Sequence, residues 1–101
     1  MSSNNQEEGK VLTQTRVKRP PRFKVIIHND DYTSMEFVVM IIQRVFHLSP
    51  AKATRLMLAI HKTGIGIAGV YSREIAETKV ETVLFLASEA QHPLQCTMEP
   101  E

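Results

Sequence analysis

A single cysteine, Cys96, is too few for an intramolecular disulfide. No apolar run approaches the twenty or so residues needed to span a bilayer, which excludes a transmembrane helix. The opening MSSNNQEEGK has neither the basic start nor the apolar run of a secretory signal, so a reducing cytosol is the expected compartment. An excess of either charge is also missing: 12 Lys and Arg against 11 Asp and Glu leave a formal +1, too little for bulk attraction to nucleic acid. The 101 residues leave no room for a second domain or a large internal cavity, so any ligand site must be a surface pocket. What is present, 43% hydrophobic and 23% charged, is the balance of an ordinary globule.

Charge is unevenly spread. Lys10, Arg16, Lys18, Arg19, Arg22 and Lys24 lie in one stretch. Residues 1–22 otherwise hold Ser, Asn, Gln and Glu, with only Val11, Leu12 and Val17 as sizeable apolar groups, and end in Pro20-Pro21. Such a segment cannot bury enough to offset its ordering entropy and reads as a flexible arm, with the domain occupying residues 23–101.

From Phe23, a period of two (Phe23, Val25, Ile27 against Lys24, Ile26, His28) predicts a strand, ended by the turn-prone Asn29-Asp30-Asp31. Thr33 and Glu36 have capping-box spacing, and Met35, Val38, Val39, Ile42 and Phe46 predict a helix to about His47. Ser49-Pro50 starts a second helix through Ala53, Leu56, Met57 and Ile60, with Gly64 as its stop. IGIAGVY, residues 65–71, fits a strand. Ser72 caps a third helix with a stripe of Ala76, Val80, Val83, Ala87 and Ala90, halted by His92-Pro93. Leu94, Cys96 and Met98 alternate as a last strand. The order strand, helix, helix, strand, helix, strand implies an α/β domain with one sheet covered by helices on one side.

Several chemical signals fail on context. Gly64, Gly66 and Gly69 spell G-x-G-x-x-G, but a dinucleotide fingerprint needs a strand before it and a helix after it, and the order here is reversed. His28, His47, His61 and His92 show no metal-ligand spacing with one another or with Cys96, so no metal or cofactor is expected. A hydrolase using His61 with Asp30 or Asp31 stays open as an alternative, as does a basic-arm nucleic-acid binder, although Phe23 is the only aromatic near those charges. The segment from Asn29 to Glu36 differs in kind. It joins an acidic turn to an apolar helix face starting at Met35, and Met57, Ile60 and His61 could close the same space around a cation carrying an apolar group.

Asn29-Asp30-Asp31-Tyr32-Thr33-Ser34-Met35-Glu36-Phe37-Val38 resembles the NDDYTPMEFV signature of the ClpS family, adaptors of the bacterial ClpAP protease. Ala53-Thr54-Arg55-Leu56-Met57-Leu58, Ile60-His61, Gly69-Val70-Tyr71, Ala76-Glu77-Thr78-Lys79-Val80 and the segment from His92 to Glu99 agree in the same order. The resemblance runs from about Phe23 to Glu99. It implies a three-stranded antiparallel sheet on three helices, like the C-terminal domain of the ribosomal stalk protein. It further implies an adaptor, not an enzyme, that binds the free N-terminal Leu, Phe, Tyr or Trp of a doomed protein and delivers it to the ClpA unfoldase. By resemblance Asn29, Asp31 and His61 contact the substrate's α-amino group, with Asp30 in the same turn. Thr33, Met35, Val38, Met57, Ile60 and Leu94 line the side-chain pocket, and Glu74 and Lys79 dock on the ClpA N-terminal domain. His28, where many relatives carry an aliphatic residue, falls at the pocket rim, and Ser34 replaces the usual Pro. No cofactor, membrane or nucleic acid is implied, and a monomer is the simplest state.

Overall fold

β1 (Arg22–His28) is the middle strand of a three-stranded sheet, paired antiparallel on one side with β2 (Ile65–Ser72) and on the other with β3 (Gln95–Pro100). The computed structural model describes residues 19–101. Most of the expected arm, including Lys10, Arg16 and Lys18, lies outside the described residues, and Arg22, assigned to that arm, already belongs to the strand. Val25 and Ile27 point to the helices and are fully buried. Ile26 points to the opposite, uncovered face, yet its position in the central strand between Ile67 and Thr97 leaves it only 6% exposed. The two strand faces therefore follow the expected alternation, but the central position hides both at the middle of the strand. The β1–β2 register passes from Val25 opposite Gly69 to Ile26 opposite Ile67, leaving Ala68 as the extra residue of a bulge.

The helices α1 (Met35–Phe46), α2 (Pro50–Thr63) and α3 (Arg73–Glu89) cover the other face. α2 and α3 begin as the sequence predicts: Ser49 and Ser72 accept from the backbone N–H groups of Lys52 and Ile75, and Pro50 opens α2. α1 does not use the predicted Thr33–Glu36 capping box. Asp30 claims both the Thr33 N–H and its hydroxyl, so the extended Ser34 becomes the cap and accepts from Phe37 N at 3.1 Å. The buried stripe of α1 is Val38, Ile41, Ile42, Val45 and Phe46. Ile41 and Val45 are core positions missed by the pattern, while Met35, on the first turn, is 45% exposed. Ala90 also departs from expectation, because α3 ends at Glu89 and leaves it exposed. His47 ends α1 in the left-handed conformation and donates its N–H to Gln43 O at 3.0 Å.

Three basic side chains tie elements of the fold together. Lys79 on α3 donates to Val45 O at 2.6 Å, satisfying a carbonyl at the negative end of α1, and its ammonium lies 5.5 Å from the Tyr71 ring centroid. Lys24 pairs with Glu99 of β3 at 3.3 Å, and Arg22 pairs with Glu101, just past the end of β3, at 3.1 Å. Phe23 packs against the core beneath the Arg73 guanidinium, 5.8 Å away. Within the described residues the basic stretch is thus largely spent on the fold. Cys96 is 3% exposed, and burial pushes its thiol up to about 12, where it is unreactive at neutral pH.

The glycines of the rejected dinucleotide pattern have structural work. Gly64 ends α2 at φ 98°, a conformation other residues adopt only with strain. Gly66 lies so close to α2 that a Cβ would stand 2.6 Å from Ile60 Cγ1 and 2.9 Å from Leu56 Cδ1. Gly66→Ala should therefore destabilise the domain by about 1–3 kcal/mol, read as a lowered urea midpoint with an unchanged slope.

Candidate functional site

The turn after β1 is built by hydrogen bonds within the chain. Asn29 N donates to Gly64 O at 2.8 Å, which ties the exit of the central strand to the C-cap of α2. Asp30 then closes the turn: Oδ1 accepts from Tyr32 N at 2.8 Å and Thr33 N at 2.7 Å, and Oδ2 accepts from the Thr33 hydroxyl at 2.8 Å. Burial acts to raise the Asp30 pKa, but the hydrogen bonds from Thr33 and Tyr32 and the nearby His92 together outweigh it and hold the carboxyl below its ordinary value. Asp30 is thus a builder of the turn.

These ties bring the start of α1 against the end of α2 around a cavity of about 370 Å³. Asn29, Asp30, Asp31, Thr33, Met35, Val38, Met57, Ile60 and His61 line it, together with Tyr32 and Ser34. Val38, Met57 and Ile60 are buried, and Met35 stands partly exposed as an adaptable wall. Asn29, Asp31 and His61 are solvent-exposed, and no side-chain hydrogen bond or ion pair among the described residues involves any of the three. The site therefore offers a carboxylate, an amide and an imidazole beside an apolar hollow, with their hydrogen-bonding capacity unspent.

Two residues expected to line the cavity do not. His28 follows the strand alternation onto the uncovered face of the sheet, where its Nε2 is 2.7 Å from Thr97 Oγ1. Leu94 is 2% exposed in the hydrophobic core and is not among the cavity's lining residues. Tyr32 and Ser34 line the cavity without having been singled out for it. Their only signal was position, within the turn and at the helix start, and which way each side chain points depends on the Asp30 bonds.

Glu74 and Lys79 lie together on a different surface, a groove of about 540 Å³ between the end of α1 and the outer side of α3, with Arg44, Val45, His47, Ile75 and Leu86 among its walls. Lys79 already holds Val45 O there, so it fixes the shape of the groove as well as supplying charge.

The alternative chemistries do not assemble. Asp30 has its carboxylate committed to the turn, and His61 has no hydrogen bond to Asp31 that would make it a base. Among the described residues no group of three or more His, Cys, Asp or Glu is placed to hold a metal ion, and no helix is long and apolar enough to cross a membrane.

Comparison with known proteins bears on the family and the fold. The family model for the ATP-dependent Clp protease adaptor protein ClpS matches residues 18–97. A relative from Desulfatibacillum aliphaticivorans, an ATP-dependent Clp protease adapter protein ClpS, is 54% identical over the full length of both chains. One from Myxococcus xanthus with the same description is 43% identical, covering all of this chain and 98% of its own. The solved structure of Agrobacterium tumefaciens ClpS2 bound to L-phenylalaninamide superposes with a TM-score of 0.80 at 42% identity, over 82% of this chain and all of that one. With its three helices, three-stranded antiparallel sheet and full-length similarity, the chain belongs to the ClpS family, whose members are described as protease adaptors and not as enzymes.

Proposed function

We propose that this protein binds the free N-terminal residue of proteins marked for degradation, with Leu, Phe, Tyr or Trp at that end, and delivers them to a ClpA-type AAA+ unfoldase of the ClpAP protease in the cytoplasm. The observation that carries the reading is the 370 Å³ cavity with Asn29, Asp31 and His61 at its mouth, without side-chain partners among the described residues, and Met35, Val38, Met57 and Ile60 as its walls. The related ClpS2 was solved with L-phenylalaninamide, a molecule with a free amine and one aromatic side chain, which matches both halves of the cavity.

The chemistry follows from the groups present. An α-amino group with a pKa near 8 is largely protonated at neutral pH and needs acceptors. Asp31 supplies the opposite charge, and the Asn29 carbonyl and a His61 ring nitrogen complete the set. An internal peptide N–H carries no charge and has no such need, so the same groups separate a chain terminus from every other residue. Each charge-assisted bond contributes roughly 1.5–3 kcal/mol, and burying one large apolar side chain contributes roughly 1.5–3 kcal/mol. A micromolar affinity corresponds to about 8 kcal/mol net of the cost of association, so the amine contacts and the side-chain burial are both needed. The adaptor acts as a monomer, without a cofactor, and presents the groove carrying Glu74 and Lys79 to the N-terminal domain of the unfoldase.

Fluorescent peptides beginning with Phe or Leu should bind in the micromolar range, and acetylating their N-terminus should weaken binding at least tenfold. Equal anisotropy curves for free and acetylated peptides would remove the amine site. Asp31→Ala should weaken every N-terminal residue type together, since it acts on the shared ammonium. Met35→Ala should widen the hollow and admit Ile and Val, which the intact wall excludes; an unchanged panel of N-terminal residues would contradict this. Asp30→Ala should instead lower fold stability, with a defined pH dependence. Because the folded pKa of Asp30 is depressed, its contribution is complete above the unfolded value near 4 and fades as pH falls through the folded one. The gap in urea midpoint between the wild type and Asp30→Ala should therefore be widest at pH 7 and narrow in acid.

A further inference from the structure

A second groove, of about 450 Å³, adjoins the recognition cavity and shares two of its walls, Met35 and Met57. Val39 and Met40 extend the apolar wall along α1, so three of the five methionines of the chain stand in this one groove. Methionine walls accommodate varied apolar shapes, a property of surfaces that bind many peptide sequences. The groove also carries two charges of opposite sign. Glu36 sits beside the shared wall, and Arg44 lies eight positions further along α1, a distance of about 12 Å at the helical rise of about 1.5 Å per residue. An extended peptide covers that distance in three to four residues.

A cavity that seats one side chain, with the amine held at its mouth, must release the rest of the substrate chain over one of its rims. The groove between α1 and α3 shares no lining residue with the cavity, and neither does the hollow at the Arg22–Glu101 end of the sheet. Met35 and Met57, by contrast, line both the cavity and the second groove, so this rim is the one the two share. We infer that the substrate residues following the N-terminal one lie along this groove, from the second position beside Glu36 to about the fifth beside Arg44. The inference rests on the reading of the cavity as the seat of the N-terminal residue. It names a substrate class within that reading: a free N-terminal large apolar residue, then a basic residue beside Glu36 and an acidic residue three positions on beside Arg44, with the residues between in contact with the methionine wall.

The test compares three ligands by competition: L-phenylalaninamide and two Phe-initiated hexapeptides of equal net charge. One hexapeptide carries lysine at the second position and glutamate at the fifth; the other has the two exchanged. The first should bind about threefold to tenfold tighter at low salt, the range that two exposed ion pairs supply, and the difference should collapse at high salt. Arg44→Glu, a change at an exposed position, should cancel the difference between the two hexapeptides while leaving L-phenylalaninamide binding within twofold of the wild type. Equal affinity of the two hexapeptides for the wild type, with L-phenylalaninamide still bound, would overturn the groove and leave the cavity reading standing. Failure of L-phenylalaninamide to bind at all would remove the cavity reading and this one with it.

Discussion

The hydrogen bond from Asn29 N to Gly64 O is the constraint on which the site depends. It joins the exit of the central strand to the end of α2, two places far apart in the chain, and it requires Gly64 at φ 98° so that its carbonyl faces the turn while α2 stops. With that bond made, His61 in the last turn of α2 stands beside Asn29 and Asp31, and Ile60 and Met57 come down behind them as the apolar wall. Each side of the joint thus supplies part of the polar mouth and part of the apolar interior: Asn29, Asp31, Met35 and Val38 from one, His61, Met57 and Ile60 from the other. Gly66, pressed against Ile60 and Leu56, holds β2 close enough to α2 to keep that wall in place.

Adjacent carboxylates have been given opposite tasks by their surroundings. Asp30 accepts three hydrogen bonds from the next few residues, is held ionised, and sets the start of α1 by taking Thr33 out of the capping role. Asp31 is exposed at the cavity with no side-chain partner among the described residues. A rigid, internally satisfied residue next to an unsatisfied one is an economical way to aim a binding group, because the ordering entropy is lost on folding and not on binding.

α1 links the surfaces to one another. Its first turn contributes Met35 and Val38 to the cavity, its middle contributes Val39 and Met40 to the adjoining groove, and its end contributes Arg44 and Val45 to the groove that carries Glu74 and Lys79. A helix of 12 residues is about 18 Å long and stiff, so the proposed substrate recognition and the proposed docking of the unfoldase sit on one rigid rod. Lys79 reinforces the arrangement by fixing α3 to the far end of that rod.

Much of this was legible in the amino-acid order. Period-two and period-four patterns, the Ser caps at Ser49 and Ser72, Pro50 and Gly64 determined the six elements and their sequence, because these signals act between near neighbours and need no knowledge of the rest of the chain. The joining of an acidic turn to an apolar helix start between Asn29 and Glu36 likewise pointed to a segment whose residues from Asn29 to Met35 line the cavity. Only the tertiary structure decided which residue capped α1, since Thr33 and Ser34 are equally good caps until Asp30 chooses between them. It alone placed His28 on the far face against Thr97 and Leu94 in the core, and it alone separated Asp30 from Asp31. Those outcomes rest on which groups meet across the fold, and side chains identical in type take different roles according to the hydrogen bonds that reach them first.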